Sequence, residues 1–287
     1  MKIRFNFLFL FIFAIPFQGL AQSATCLSGD CENDSGVFIT SSGDTYKGQF
    51  KNGSFSGTGK MNRLNGDLFE GTWREGLPTN GYYLFFNGDK YVGDIHRFQL
   101  HGKGKIIYKN EDVYEGHFAY GKANGIGTLE KRIGLKYTGN FKDNQYNGKG
   151  ILTFPNGNTY EGDFVNSVRK GKCTYRFKSG SVYQGDYYND DFNGDGTYTF
   201  PDKSTYSGTW VDGMRSGNGI YKYKNGARYE GSFKNDLRDG QGKMWYENGD
   251  LYEGGWQNGK TNGQGKLTLK NGSVLKGTFH DNAFVQK

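Results

Sequence analysis

The sequence predicts an all-β fold: an elongated, single-layer antiparallel sheet of about eleven tandem β-hairpins, open at its ends, twisted and curved. Three observations carry this. An aromatic-x-Gly-x-aromatic motif begins at residues 46, 69, 91, 114, 137, 160, 183, 206, 229, 252 and 275, in steps of 23 residues except for the 22 between 69 and 91. A second motif, Gly-x-Gly-x-apolar-x-apolar, keeps the same phase, as in Gly102/Gly104/Ile106/Tyr108 and Gly148/Gly150/Leu152/Phe154. Within both motifs the apolar residues alternate, which is the periodicity of a strand. A fixed period over most of the chain means a repeat array, and it overrides a domain count taken from length.

Composition agrees. The 287 residues include 47 Gly, 21 Tyr and 23 Phe but only 4 Pro, and the apolar share is 34% against an aromatic share of 17%. Such a chain is too aromatic to be disordered and too poor in aliphatic residues for a large conventional core. Gly does not fall on every third residue, so a collagen helix is excluded.

At the N-terminus, Lys2 and Arg4 precede an apolar run from Phe5 to Phe17 and then Gly19-Leu20-Ala21. This is the organisation of an export signal cleaved after Ala21, with an apolar run too short to span a bilayer. The protein is therefore expected in the periplasm, the cell envelope or the extracellular space, with no transmembrane segment after cleavage. Losing Lys2 and Arg4 brings the formal charge of +7 down to +5. Residues 22–33 read as a leader. In an oxidising compartment its Cys26 and Cys31 could close a small disulfide loop, the alternative being two free thiols. Cys173 takes a repeat position usually held by Gly, so it reads as a small buried side chain and not as a nucleophile.

The repeat array is expected over 34–282, with hairpins at 34–50, 57–73 and onward to 263–279, followed by a tail at 283–287. Its turns carry Asn65-Gly66, Asn87-Gly88, Asn156-Gly157, Asn225-Gly226, Asn248-Gly249 and Asn271-Gly272, all hairpin signals. Parity selects the turn. Leu152, Phe154, Tyr160, Gly162 and Phe164 share one face only if the turn has three residues, with Gly in a left-handed bulge. That face collects the aromatics and the motif glycines Gly48, Gly71, Gly93, Gly116, Gly139, Gly162, Gly185, Gly208, Gly231, Gly254 and Gly277, read as structural. Gly weakens a strand unless something packs closely over its bare backbone, and the neighbouring rings are the candidates. The terminal repeats are degenerate, as capping requires.

This pattern resembles the MORN repeat family, whose members repeat Tyr-x-Gly-x-Trp/Phe followed by Gly-x-Gly. The resemblance spans about 34–282, with local departures at Thr79 and Cys173 for Gly, Leu275 for Tyr and Ile95 for Phe or Trp. It implies an elongated sheet with a groove for partner proteins, and for some members contact with acidic phospholipids. Kinase or methyltransferase activities of some relatives are not implied, because the array leaves no room for those domains.

No catalytic or metal-binding residues are expected, and no cofactor. The recurrent Glu70, Glu115, Glu161, Glu230 and Glu253 project to the polar face about 9.6 Å apart, at the limit for an inverting glycosidase pair. Their repetition reads as a solvated face mixed with Lys103, Lys105, Lys172 and Arg176. His96, His101, His117 and His280 show no ligand spacing. No helix follows the Gly-x-Gly pairs, so they are not phosphate loops, and an exported chain rarely meets nucleic acid. The expected function is a non-catalytic protein-interaction scaffold, with a protein partner along the aromatic face at Tyr114, Phe118, Tyr137, Phe141, Tyr160, Phe164, Tyr183, Tyr206 and Trp210. The competing readings are a spacer whose rings close over the glycines, binding to acidic phospholipid through Lys51, Lys142 and Lys234, and glycan stacking on Trp210 or Trp256.

Overall fold

In the computed structural model, which describes residues 23–285, there is no helix among the described residues, and strands and turns account for nearly all of them. The segment read as an export signal, 1–21, lies outside the described residues. The chain divides into two compact units, Met1–Phe86 and Asn87–Lys287.

In the first unit, β1 (Thr25–Gly29), β2 (Ser35–Ile39), β3 (Thr45–Lys51), β4 (Ser54–Asn62), β5 (Leu68–Arg74) and β6 (Leu77–Leu84) pair consecutively and antiparallel. The second unit is a meander of the same kind, from β7 (Lys90–His96) to β24 (Ala283–Val285). Among the described residues, only consecutive strands pair within each unit, so neither closes into a barrel. The expected all-β fold of tandem hairpins is the one observed.

Two turn types alternate. At one end, the Phe154 amide donates to the Asn158 carbonyl and the Gly157 amide to the Phe154 carbonyl, both at 2.9 Å. Gly157 is left-handed, with φ 86°. This is the three-residue turn that parity required, and it recurs at Gly43, Gly66, Gly134, Gly180, Gly226, Gly249 and Gly272. At the other end the turns have two residues, both left-handed, such as Asn166 (φ 50°) and Ser167 (φ 65°) between the paired Val165 and Val168. These are type I′ hairpins, whose twist matches that of the flanking strands.

Both turn types are tied to the repeat before them. The amides of Lys109, Arg132 and Lys178 donate to the carboxylates of Asp89 and Asp112 and to the Asn158 amide oxygen, each twenty residues earlier. At the other end the Ser167 amide donates to the Tyr146 carbonyl at 2.9 Å, and the Tyr146 amide to the Ser167 hydroxyl at 3.1 Å. Turn groups that would otherwise need water are thereby used to hold successive hairpins in register.

The ends differ from the sequence expectation. β1 lies within the segment taken as a leader, where it pairs with β2 and is clipped by a Cys26–Cys31 disulfide. β24 lies within the segment taken as a tail and pairs with β23 (Val274–His280) through three residues. Neither carries the repeat motif. What orders them is the backbone ladder along an exposed strand edge, which residue pattern does not report.

Candidate functional site

The two faces of the hairpins divide the chemistry, and the division follows from one packing unit. In β11 (Lys136–Lys142) the motif begins with Tyr137, fully buried, whose ring lies over Gly139 on its own strand and Gly150 on β12 (Gln145–Thr153). These two glycines face each other in the ladder. Beyond them the register shifts, with Gly148 left-handed at φ 71°. The shift frees the Asn140 carbonyl, which accepts a 2.8 Å bond from the Tyr137 hydroxyl. The same bond from tyrosine to the carbonyl three residues on recurs at Tyr46, Tyr91, Tyr114, Tyr160, Tyr183, Tyr206, Tyr229 and Tyr252. Burial pushes the hydroxyls of Tyr46, Tyr206 and Tyr229 up to about 12, and that of Tyr137 further.

Most of these tyrosines also sit edge-on between two aromatics, their own repeat's and the next one's; Tyr91, whose repeat carries Ile95, meets among the described residues only Phe118 of the next. Tyr137 meets Phe141 at 5.1 Å and Phe164 at 5.0 Å, and Tyr114 meets Phe118 at 5.0 Å and Phe141 at 4.9 Å. Edge-to-face contacts of this kind contribute about 0.5–1.5 kcal/mol each beyond area burial. Where the second aromatic is Trp, its indole N–H also bonds a glycine carbonyl: Trp73 to Gly59, Trp210 to Gly196 and Trp256 to Gly242.

A third tier covers the rings, and sequence reasoning missed it. The residue nine positions after the motif tyrosine lies on the ring: Phe55 on Tyr46 at 4.0 Å, Tyr146 on Tyr137 at 3.7 Å and Phe192 on Tyr183 at 3.8 Å, all stacked. In three other repeats the cover is a cation. Arg169 lies 5.5 Å over Tyr160 and pairs with Asp190; Arg215 lies 5.7 Å over Tyr206 and pairs with Asp236; Arg238 lies 4.2 Å over Trp256. The signal was the recurrence of an aromatic or Arg at one fixed position in six repeats, Phe55, Tyr146, Arg169, Phe192, Arg215 and Arg238.

The side chains expected to meet a partner are therefore core. Tyr114, Phe118, Tyr137, Phe141, Tyr160, Phe164, Tyr183, Tyr206 and Trp210 are all at most 5% exposed. Their burial has a plain cause: the rings lie over Gly–Gly pairs with neighbouring side chains packed against them, while Tyr175, Tyr198 and Tyr221 on the same face stay half-buried. Trp210 and Trp256, the candidate sugar-stacking residues, are spent in the same way. Cys173 replaces the second glycine and packs beside Gly162, and burial pushes its thiol up to about 12, as suits a structural cysteine.

The groove lies on the opposite face. Its floor is the bare backbone of the paired glycines, and its walls are the polar side chains on either side of them. In the first unit it encloses about 730 Å³ along Lys47, Gln49, Thr58, Lys60, Glu70 and Thr72. In the second unit three stretches follow one another. About 530 Å³ lies between Thr138 and Thr174, about 560 Å³ between Lys172 and Gly208, and about 930 Å³ between Ser207 and Lys276. Lys172 is common to the first two and Ser207 to the last two. The recurrent glutamates stand on this face opposite cations: Glu70 by Lys60, Glu115 by Lys105 at 3.3 Å and Glu253 by Lys243 at 2.8 Å. Glu230 is bonded to Arg228. The Lys243 contact holds the Glu253 carboxyl below its ordinary range. Glu161 faces Ile151 and Thr174.

Among the described residues no group of three or more His, Cys, Asp or Glu side chains is placed to hold a metal ion. His96 and His101 approach with ring centres 5.6 Å apart, across the turn at Arg97 and Phe98. No helix among the described residues is long and apolar enough to cross a membrane.

The repeat unit defined by this geometry coincides with a known one. The MORN repeat model matches ten times, from 46–67 and 69–90 through 229–251 and 252–274. The chain belongs to the MORN repeat family. The matched MORN repeats begin at the tyrosine or phenylalanine that overlies the glycine pair. At the ends, β1, β2, β24 and all of β23 except Val274 lie outside the matched MORN segments. No functionally curated protein matches this MORN chain. The SAS-4 (dCPAP) TCP domain of Drosophila melanogaster, in complex with a proline-rich motif of Ana2, is 19% identical, covering 54% of this chain and 84% of that one, with a TM-score of 0.38. The TCP10 domain of Danio rerio CPAP is 14% identical, covering 77% and 99%, with a TM-score of 0.41. At these scores neither likeness bears on the function of the MORN array.

Proposed function

We propose that this MORN protein is a non-catalytic interaction scaffold, exported to the periplasm, the cell envelope or the extracellular space, and that its partner protein occupies the polar, glycine-floored groove. The observation that carries this is the separation of faces. The motif aromatics are consumed by their own packing, whereas the polar face offers a long concave surface whose floor is backbone and whose walls are exposed donors and acceptors. Such a surface suits an extended or helical segment of a second protein. MORN repeats commonly serve as protein or membrane interaction modules, which supports the reading. The Cys26–Cys31 disulfide suits an oxidising compartment and so supports export.

The test is a crosslinked pull-down of the mature protein from its own envelope fraction. Wild type is compared with Gln184→Arg/Thr197→Arg/Ser207→Arg, which fills the groove without touching the rings. A protein recovered with wild type and lost with the variant is the expected result. Retention of the same partner by the variant removes the groove from the proposal. Sedimentation with acidic liposomes at low salt, in the absence of any protein partner, replaces it with the membrane reading.

A further inference from the structure

The two-residue turns are not equivalent on the polar face. Each is flanked there by one cross-strand pair, and at most turns the pair is polar or mixed: Lys51–Ser54, His96–Gln99, Ala119–Lys122, Lys142–Gln145 and Gln257–Lys260. At four successive turns the pair carries a large exposed apolar side chain, both members at Val165–Val168 and Val211–Met214 and one member at Tyr188–Asp191 and Lys234–Leu237. Tyr188 is 60% exposed and Val168 50%, and Val211, Met214 and Leu237 are exposed as well. Equivalent positions in successive hairpins stand about 9.6 Å apart, so four turns form an apolar ridge about 29 Å long.

Charge along the middle of this stretch has one sign, with Lys170, two residues from Val168, and Lys234, paired with Leu237, standing at its two ends. Along the polar face of β15 (Val182–Tyr188), β16 (Asp191–Thr199), β17 (Thr205–Val211) and β18 (Met214–Lys222), the charged side chains are Asp186, Asp191 and Asp195, until Lys222 at the far rim. Asp212 adds a fourth acid in the turn between Val211 and Met214. Asp186 is neutralised by Lys172 at 2.9 Å. Among the described residues Asp191, Asp195 and Asp212 have no such cation, and Asp195 takes a hydrogen bond from the Thr209 hydroxyl instead. Elsewhere on the face Lys60, Lys105, Lys149 and Lys243 each stand beside an acid. The acids lie on both sides of the ridge, Asp195 towards the groove and Asp212 on the turn.

We infer that this ridge is the docking surface for a cationic amphipathic helix of another protein, its apolar stripe laid on Val168, Tyr188, Val211, Met214 and Leu237 and its Lys or Arg side chains facing Asp191, Asp195 and Asp212. An apolar line flanked by acids on both sides complements a helix, which carries cations on both borders of its stripe. A strand presents only one alternate row. The length matches about 19 residues of helix. The same acids repel an anionic bilayer, so the occupant is a protein segment. The inference rests on the interaction-scaffold reading and narrows it to one surface and one chemistry.

The test titrates the mature chain with a synthetic cationic amphipathic helix of about 20 residues. Controls are a scrambled peptide of equal charge and an analogue with Glu replacing its cations. Saturable binding of the first peptide alone is expected, with the 165–168, 188–191 and 211–214 amides protected from hydrogen exchange. Tyr188→Ser/Met214→Ser should weaken it by about tenfold or more. Asp191→Asn/Asp195→Asn should flatten its salt dependence. Equal binding of the scrambled or acidic peptide overturns the inference, and so does protection elsewhere. The exchange map needs no variant, so a variant that misfolds leaves the test intact. A native partner crosslinked to another part of the groove overturns this docking surface and leaves the scaffold reading standing.

Discussion

The ring of Tyr137 lies across Gly150 so closely that a β-carbon there would stand 2.5 Å from the tyrosine hydroxyl and its Cε2. Tyr137 is fully buried and edge-packed by Phe141 and Phe164, so its ring has nowhere to move. Gly150→Ala should therefore destabilise the second unit by about 1–3 kcal/mol through overpacking. Gly121→Ala is the control: its backbone is also demanding, with φ 78°, but nothing lies within 4 Å of the added carbon. Urea unfolding of both should show the larger loss at Gly150, even though only Gly121 is left-handed. Equal losses would mean that ring-over-glycine contact is not what fixes these positions.

The hydroxyl has a separate job. Tyr137→Phe strands the Asn140 carbonyl and should cost about 1 kcal/mol in denaturant unfolding. The chain contains its own control at Phe69. There the equivalent carbonyl, on Thr72, accepts a 3.1 Å bond from the Thr79 hydroxyl instead. Phe69→Tyr alone should gain little, and Thr79→Ala alone should cost about as much as Tyr137→Phe. The double change Phe69→Tyr/Thr79→Gly should return to near wild-type stability. A double variant no better than Thr79→Ala would refute the exchange.

That pair also shows what was legible in the sequence. Thr79 stood out as a departure from Gly, but its reason lies on the neighbouring strand, in a phenylalanine that lacks the hydroxyl. Fold class, hairpin phase and the three-residue turns followed from local period and parity, which are properties of consecutive residues. The covering tier of Phe55, Tyr146, Arg169 and Arg215 did not, because aromatic and guanidinium groups solve the same packing problem with unlike chemistry. The burial of the motif aromatics was missed for a related reason. Exposed aromatics suggest a partner, and only the geometry of rings over bare backbone shows that they are spent on one another.

Alkaline pH should unfold the array. The hydroxyls of Tyr46, Tyr206 and Tyr229 are raised by burial from 10.0 to about 12, and those of Tyr137 and Tyr160 go higher. A group whose folded value is raised stabilises the fold fully below its unfolded value and loses that contribution as pH climbs towards the folded one. Each buried tyrosine should then remove about 1.4 kcal/mol per pH unit above 10. With many repeats adding, the loss is steep. Tyrosinate absorbance from the buried set and loss of β-sheet circular dichroism should rise together between pH 10 and 12. Ionisation of these residues well before the sheet is lost would show that their hydroxyls are open to solvent.

Lys203 offers a gain in stability. It takes the left-handed position of a three-residue turn, with φ 75° and its amide bonded to the Phe200 carbonyl at 3.0 Å, where most other repeats carry Gly. An L-residue in this conformation costs about 1–2 kcal/mol, whereas Gly there costs only its extra freedom when unfolded, about 0.5–1 kcal/mol. Lys203→Gly should therefore raise stability by up to about 1 kcal/mol, and the reverse exchange, Gly157→Lys, should lower it by a similar amount. Thermal melts of the two variants would check the sign. The side chain of Lys203 is exposed on the turn, so removing it breaks no packing. A lower melting temperature for Lys203→Gly would mean that backbone strain is not what distinguishes this turn.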